Sequence, residues 1–397
     1  MRARVLRLLI PAFAFLAIAI TARTSPQHAA PADASIETHV NQLLAEMSAQ
    51  EKIGQLSQLF YFGNNVDLPG SAKNAPPTED LVAQGSVGSL LFITDPAVIN
   101  RFQHIAVQKS PHHIPLIFGF DVIHGFRTIF PVPIAMAAGW DPEIARRAQT
   151  IAAAEARAAG VDWAFAPMLD IARDPRWGRI VEGAGEDPYL GSAMAAAQVR
   201  GFQGDRIGAP DHVLACAKHF AGYGAAVGGR DYEESYISEA QMWNVYLPPF
   251  HAAVEAGVGS VMSAYMDLND VPATGNSWLL HDVLRQNWGF EGFVVSDANA
   301  VINLKTHGFA ASVEDAAFRA FTAGVNMEMA EGQTDFNQGL PLGLEQRRIT
   351  VAQLDAAVRP ILEAKFRLGL FDHPYVDEAR ATQILSAPDH RSESRAA

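Results

Sequence analysis

Several apolar runs of this chain end on residues able to do chemistry. Asp121 closes LIFGFD, Asp170 follows AFAPML, Lys218 and His219 close VLACAKH, Tyr265 closes SVMSAY and Asp297 closes GFVVSD. One such residue alone serves equally well as a helix cap or a structural ion pair. Their shared placement shifts the reading, because ionisable groups at the ends of separate parallel strands converge on one mouth, where burial perturbs their proton affinities. The set holds carboxylates for acid, base or nucleophilic work, a lysine and a histidine as cations or donors, and a phenol.

Elements that could place these groups together are legible in the same rows. Apolar, β-rich runs fall at residues 55–60, 87–93, 116–122, 163–168, 213–220, 260–265, 292–297 and 326–330. Helical patterns lie between them at 142–159, 239–256, 277–286 and 313–323, and a long one follows at 350–368, closed by Gly369. Strands alternating with helices predict a parallel sheet with crossover helices. Eight runs, without a GxGxxG loop after the first, predict a closed α/β (β/α)8 TIM-barrel-like single domain rather than an open doubly wound sheet. A barrel of that kind carries its chemistry at the carboxyl ends of its strands, where the residues above fall.

Composition narrows the partners. The 397 residues are 49% hydrophobic and 18% charged, which gives ample material for a core. Thirty Lys and Arg against 43 Asp and Glu leave a net charge of −13, which disfavours nucleic acid and favours a small neutral substrate. The single cysteine, Cys216, excludes an intramolecular disulfide and a CxxC metal site. His112-His113 lacks a further obvious ligand, so neither metal nor cofactor is expected. At the amino end, Arg2, Arg4 and Arg7 precede an apolar run at 8–20 and small residues near Ala22. That pattern predicts a secretory signal at 1–22, and hence a periplasmic or secreted protein with no membrane partner after cleavage. Residues 23–34 read as a flexible spacer, 35–375 as the domain, and 376–397 as a polar linker or tail.

Four segments, in order, extend this reading: GFDVIHGFRTIFPVPIAMAAGWDPE, APMLDIARDPRWGRIVEGAGEDPYL, CAKHFAGYG followed by GGRDY, and GFEGFVVSD. Together they resemble the N-terminal barrel domain of glycoside hydrolase family 3, in particular its periplasmic β-glucosidases, over about residues 35–375. The resemblance implies hydrolysis of terminal β-glucosyl residues from small β-glucosides or oligosaccharides with net retention, Asp297 being the nucleophile. It also implies that Asp121, Arg179, Lys218 and His219 hold the terminal sugar, carboxylate accepting and cations donating, with Arg230 and Tyr265 near the nucleophile. Arg173 and Arg176 are expected in structural pairs with Asp174, Glu186 or Asp187. His124 is expected to orient its loop, Trp140 and Trp163 to sit in the core, Trp177 to serve either core or sugar, and Met327 and Met329 to fill the barrel.

Retention also requires an acid/base carboxyl group ~5–5.5 Å from the nucleophile, which the sequence does not identify. In the β-glucosidase branch it comes from a second α/β sandwich domain, and the chain is expected to stop in the linker leading there. The single-domain branch uses a His-Asp pair after the Lys-His motif, but Tyr223 stands at that histidine's place. The acid is therefore expected from a continuation of the chain, from another chain, or from an internal carboxylate such as Glu233. Many members carry Trp after the nucleophile; this chain has Ala298, which opens one wall of the site. Two competing readings are a glycan-binding protein without turnover and, from another enzyme class, a barrel aldolase forming a Schiff base on Lys218.

Overall fold

The computed structural model describes residues 31–63 and 76–397. The expected signal at 1–22 and the spacer up to residue 30 lie outside the described residues. Eight parallel strands form one sheet: β1 (Ser57–Phe60), β2 (Ser89–Leu91), β3 (Ile117–Phe120), β4 (Trp163–Ala164), β5 (Leu214–Phe220), β6 (Ser260–Ser263), β9 (Phe293–Val295) and β10 (Glu328–Ala330). Between β6 and β9 a small antiparallel pair, β7 (Asp267–Leu268) and β8 (Val271–Pro272), sits apart. In the large sheet β10 pairs with β1 and β9 with β6, and a Val295–Met327 bridge joins the two ends. The sheet is therefore closed, as the eight runs predict.

Each strand lies inside its expected run, because strands buried on both faces read as continuous apolar stretches. β4 is shorter than its run, since Pro167 has no N–H to continue the ladder, which resumes only at a Met168–Lys218 bridge. The interior is filled by side chains: Trp163, Phe165, Met327 and Met329 are buried, and Trp163 Nε1 donates to Ser260 Oγ at 2.8 Å. Gly119 on β3 makes room for this filling, since a Cβ there would stand 2.6 Å from the Phe165 ring.

The outer layer begins as the caps predict. Asp141 accepts from Glu143 N to open the helix Pro142–Ala159, and Gly160 closes it in the left-handed conformation. Ala145, Ala148, Ala152 and Ala156 line its buried face and let it pack closely against the helix Pro188–Gln203. The expected helix at 239–256 is interrupted: Glu239–Gln241 passes into a wider-wound turn, and Pro248 and Pro249 start a separate helix, Pro248–Glu255.

Three expectations need correction. The helix Pro31–Glu46 begins inside the stretch read as spacer. Residues 376–397 are folded: Asp377 caps the helix Glu378–Leu385, the helix Pro388–Ala396 follows, and both pack on Pro142–Ala159. Their polar composition hides them, because much of their docking is polar, as in the Arg380–Asp211 and Arg147–Glu393 pairs. Trp140 is 69% exposed rather than buried, lying past the end of the helix Pro133–Ala138 with φ +53°.

Candidate active site

At the carboxyl ends of the strands, β5 contributes Lys218 and His219 from a fully buried run. Asp121 follows β3 directly, Tyr265 lies two residues past β6, and Asp297 two residues past β9. The Met168–Lys218 bridge carries Asp170 alongside His219. Lys218 Nζ donates to Asp121 Oδ1 at 2.5 Å; the lysine side chain is 4% exposed, whereas that of Asp121 is 40% exposed and faces the open mouth. An amine committed to this ion pair is poorly placed for a Schiff base, which weighs against the aldolase reading.

Asp297 is buried. Its Oδ1 accepts from Ala298 N at 2.8 Å, while Oδ2 has no hydrogen-bond partner among the described residues and lies 3.4 Å from His219 Nε2. Burial raises its pKa, and the charges of Lys218 and Arg179, the Ala298 amide and the Tyr265 hydroxyl pull it back, leaving it at about 6. The group is therefore ionised at neutral pH with one oxygen free. His219 is fixed from behind, its backbone N–H and Nδ1 both 2.9 Å from Asp170 Oδ2. Burial and the nearby Arg179 and Lys218 charges hold the His219 pKa well below the ordinary value. The neutral ring shares a hydrogen bond with Asp170 through Nδ1 and turns Nε2 toward the Oδ2 of Asp297. Asp170, wholly buried, is itself raised to about 7.

Arg179 forms a two-pronged pair with Glu182, at 2.8 and 3.1 Å, and stands over the Tyr223 ring. Burial opposes its charge, but the Glu182 bond and the carboxylates of Asp297 and Asp170 outweigh that and raise its pKa. Tyr265 faces Asp297; burial first and then that carboxylate push its phenol upward. The Tyr232 ring packs edge-on against Tyr265 at 5.0 Å, extending an aromatic flank outward.

The structure thus gathers Asp297, Asp121, Arg179, Lys218, His219 and Tyr265. Arg230 is not brought in: its side chain is 65% exposed and pairs with Glu233, which also occupies the internal carboxylate considered as an acid. The useful residue of GGRDY is its neighbour Asp231, whose Oδ1 accepts from Tyr223 Oη at 2.6 Å and Trp177 Nε1 at 2.9 Å. Trp177 is accordingly buried, with a structural role. Glu182, which holds Arg179, carries no sequence signal beyond its spacing of three from that arginine. His124 orients its loop as expected, Nδ1 bonding Phe130 O at 2.8 Å, and Arg176 pairs with Asp174. Among the described residues no group of three or more His, Cys, Asp and Glu side chains could hold a metal ion.

Such a site costs stability. Asp297 binds its proton more tightly folded than unfolded, so stability is lost as pH rises from about 4, where the unfolded group titrates, to about 6. Asp297→Asn removes the ionised form and is expected to stabilise the protein by on the order of 2–3 kcal/mol at pH 7–8 and little at pH 4. Thermal unfolding of both proteins across that range checks the sign.

Comparisons with known proteins bear on the family and the fold. The family model for the "Glycosyl hydrolase family 3 N terminal domain" matches residues 48–364. A periplasmic beta-glucosidase of Salmonella typhimurium is 40% identical over 339 residues, covering 85% of this chain and 43% of that protein. A beta-xylosidase of Formosa agariphila is 35% identical, covering 88% of this chain and 45% of its own length. The crystal structure of a beta-glucosidase from Listeria innocua in complex with isofagomine superposes with a TM-score of 0.85 at 36% identity, over 91% of this chain and 50% of that one. The chain spans half or less of the length of these relatives. Matched over most of its length by that domain, the chain belongs to glycosyl hydrolase family 3.

Proposed function

We propose that this chain carries the sugar site and the nucleophile of a retaining β-glucosidase that removes terminal non-reducing β-D-glucosyl residues from small β-glucosides or oligosaccharides. One observation carries the reading: the Oδ2 of a buried carboxylate, Asp297, has no hydrogen-bond partner within bonding distance among the described residues, while the charges of Lys218 and Arg179 and the nearby Tyr265 hydroxyl hold its charge. That oxygen attacks the anomeric carbon as the glycosidic C–O bond breaks, and the bonding pair leaves with the aglycone oxygen. The resulting ester is cleaved when water adds to the anomeric carbon, losing its proton to solvent, and Asp297 departs as carboxylate, so two inversions give net retention. The cations serve both steps, since they stabilise the carboxylate as attacking and as leaving group. Asp121, at the open mouth, accepts from sugar hydroxyls and is steered by Lys218. Its neighbours in the family include a periplasmic β-glucosidase, and the charged and then apolar amino end supports export. Among the described residues no helix is long and apolar enough to cross a membrane.

The test uses an aryl β-D-glucoside with an acidic phenol as leaving group, which needs no proton from the enzyme in the first step. Proton NMR of early product is expected to show β-glucose before mutarotation. The rate should fall below about pH 6 with unit slope as Asp297 takes up its proton. Lys218→Ala, which removes the principal opposing charge, should move this limb to higher pH. α-Glucose as the first product would contradict the reading.

A further inference from the structure

Glu155 lies on the helix Pro142–Ala159, outside the barrel, with its side chain entirely buried. Its Oε2 accepts from Arg127 N and Thr128 N, both at 2.8 Å, and its Oε1 accepts from Thr128 Oγ1 at 2.6 Å. His390 Nδ1, on the helix Pro388–Ala396, lies 2.8 Å from the same Oε1. A buried carboxylate is tolerated only when its oxygens are satisfied, and here the donors come from two segments far apart in sequence. The terminal helix adds two more ties, Ser394 Oγ to Ile129 O at 2.6 Å and Glu393 to Arg147 Nε at 2.6 Å.

The segment held this way is the loop that follows Asp121. It closes on itself through the Gly125–Ile129 bridge and the paired bonds between His124 and Phe130, and Gln149 Nε2 fixes Ile123 O at 2.9 Å. It is thus cross-tied from Ile123 to Phe130 and begins two residues beyond Asp121, so its placement sets where the chain leaves the carboxylate at the mouth. We propose that Glu155 and His390 are positioning residues for Asp121, the terminal helix acting as a strap that sets sugar affinity without touching sugar. The inference rests on the reading of Asp121 as part of a sugar site. It concerns the placement of supporting groups, which decides how well a binding group is preorganised.

Isofagomine binding to the full chain by calorimetry, together with hydrogen exchange of residues 121–130, tests it. His390→Ala is expected to weaken isofagomine by on the order of tenfold and to speed exchange in that loop, leaving exchange in β5 and β6 as in the wild type. His390→Asn, whose side-chain amide can donate from the Nδ1 position, should recover most of both effects, which a general loss of packing would not allow. Glu155→Gln should impair both more than His390→Ala, because an amide cannot serve all the loop's donors. Wild-type exchange in 121–130 and wild-type affinity in His390→Ala would overturn the strap. Failure of the wild-type chain to bind isofagomine would strike the sugar-site reading instead, and unchanged loop exchange in His390→Ala would overturn the strap whatever the binding result.

Discussion

Asp297→Ala is expected to lower turnover of an activated aryl β-D-glucoside by on the order of 10³–10⁵-fold, since losing a nucleophile removes the step that all other groups assist. The variant should bind glucose nearly as the wild type does, because Lys218, Asp121 and the Asp170–His219 pair stay in place. Added azide supplies a small anion for the vacated space and is expected to restore part of the rate while forming α-glucosyl azide, the product of a single inversion. Without a carboxylate at 297 no glucosyl-enzyme forms, so rescue with that stereochemistry separates a missing nucleophile from a damaged fold. A drop of only a few-fold would mean that Asp297 caps its loop and that another group attacks.

Lys218→Ala should lower kcat/KM by roughly 30- to 1000-fold, the range expected when one member of a buried, hydrogen-bonded charge pair is removed. Two effects add. Asp121 loses the donor that aims it, and Asp297 loses the cation that contributes most to holding its charge. The loss should therefore appear in both KM and kcat, whereas Asp121→Asn, which leaves the nucleophile's field nearly intact, should act chiefly on KM. Steady-state kinetics of the two variants on one aryl glucoside makes the comparison. Equal and exclusive effects on KM would place Lys218 in sugar binding alone.

The barrel and its mouth were legible for the same reason. A strand buried on both faces must be apolar, so the polar residue at its end stands out, and Asp121, Lys218, His219, Tyr265 and Asp297 were all found this way. Loop residues obey no such rule. Arg230 and Asp231 are adjacent, and only tertiary contacts decide that the aspartate turns inward to Tyr223 and Trp177 while the arginine turns out to Glu233. Arg179 was found by resemblance rather than by pattern, and its partner Glu182 became evident only with the pair in view. The folded tail escaped because Glu378–Leu385 and Pro388–Ala396 bury little apolar surface, Ala381 being the one buried residue in the pair. An Asp cap at 377 and Pro at the first turn of the last helix were the available signals. Trp140 shows the opposite error: a large aromatic was assigned to the core on its type alone, although the glycine and aspartate flanking it mark a turn.

The nucleophile can be identified by trapping it. A 2-deoxy-2-fluoro-β-D-glucoside with a dinitrophenolate leaving group slows both steps by withdrawing charge from the oxocarbenium-like transition state, and the second step then becomes slow enough for the glycosyl-enzyme to accumulate. Intact mass should rise by one fluoroglucosyl group per chain, and peptide mapping should place it on Asp297, with no label on Asp297→Asn. A stoichiometric label on Asp121, Asp170 or any other residue, with Asp297 unmodified, would contradict the account.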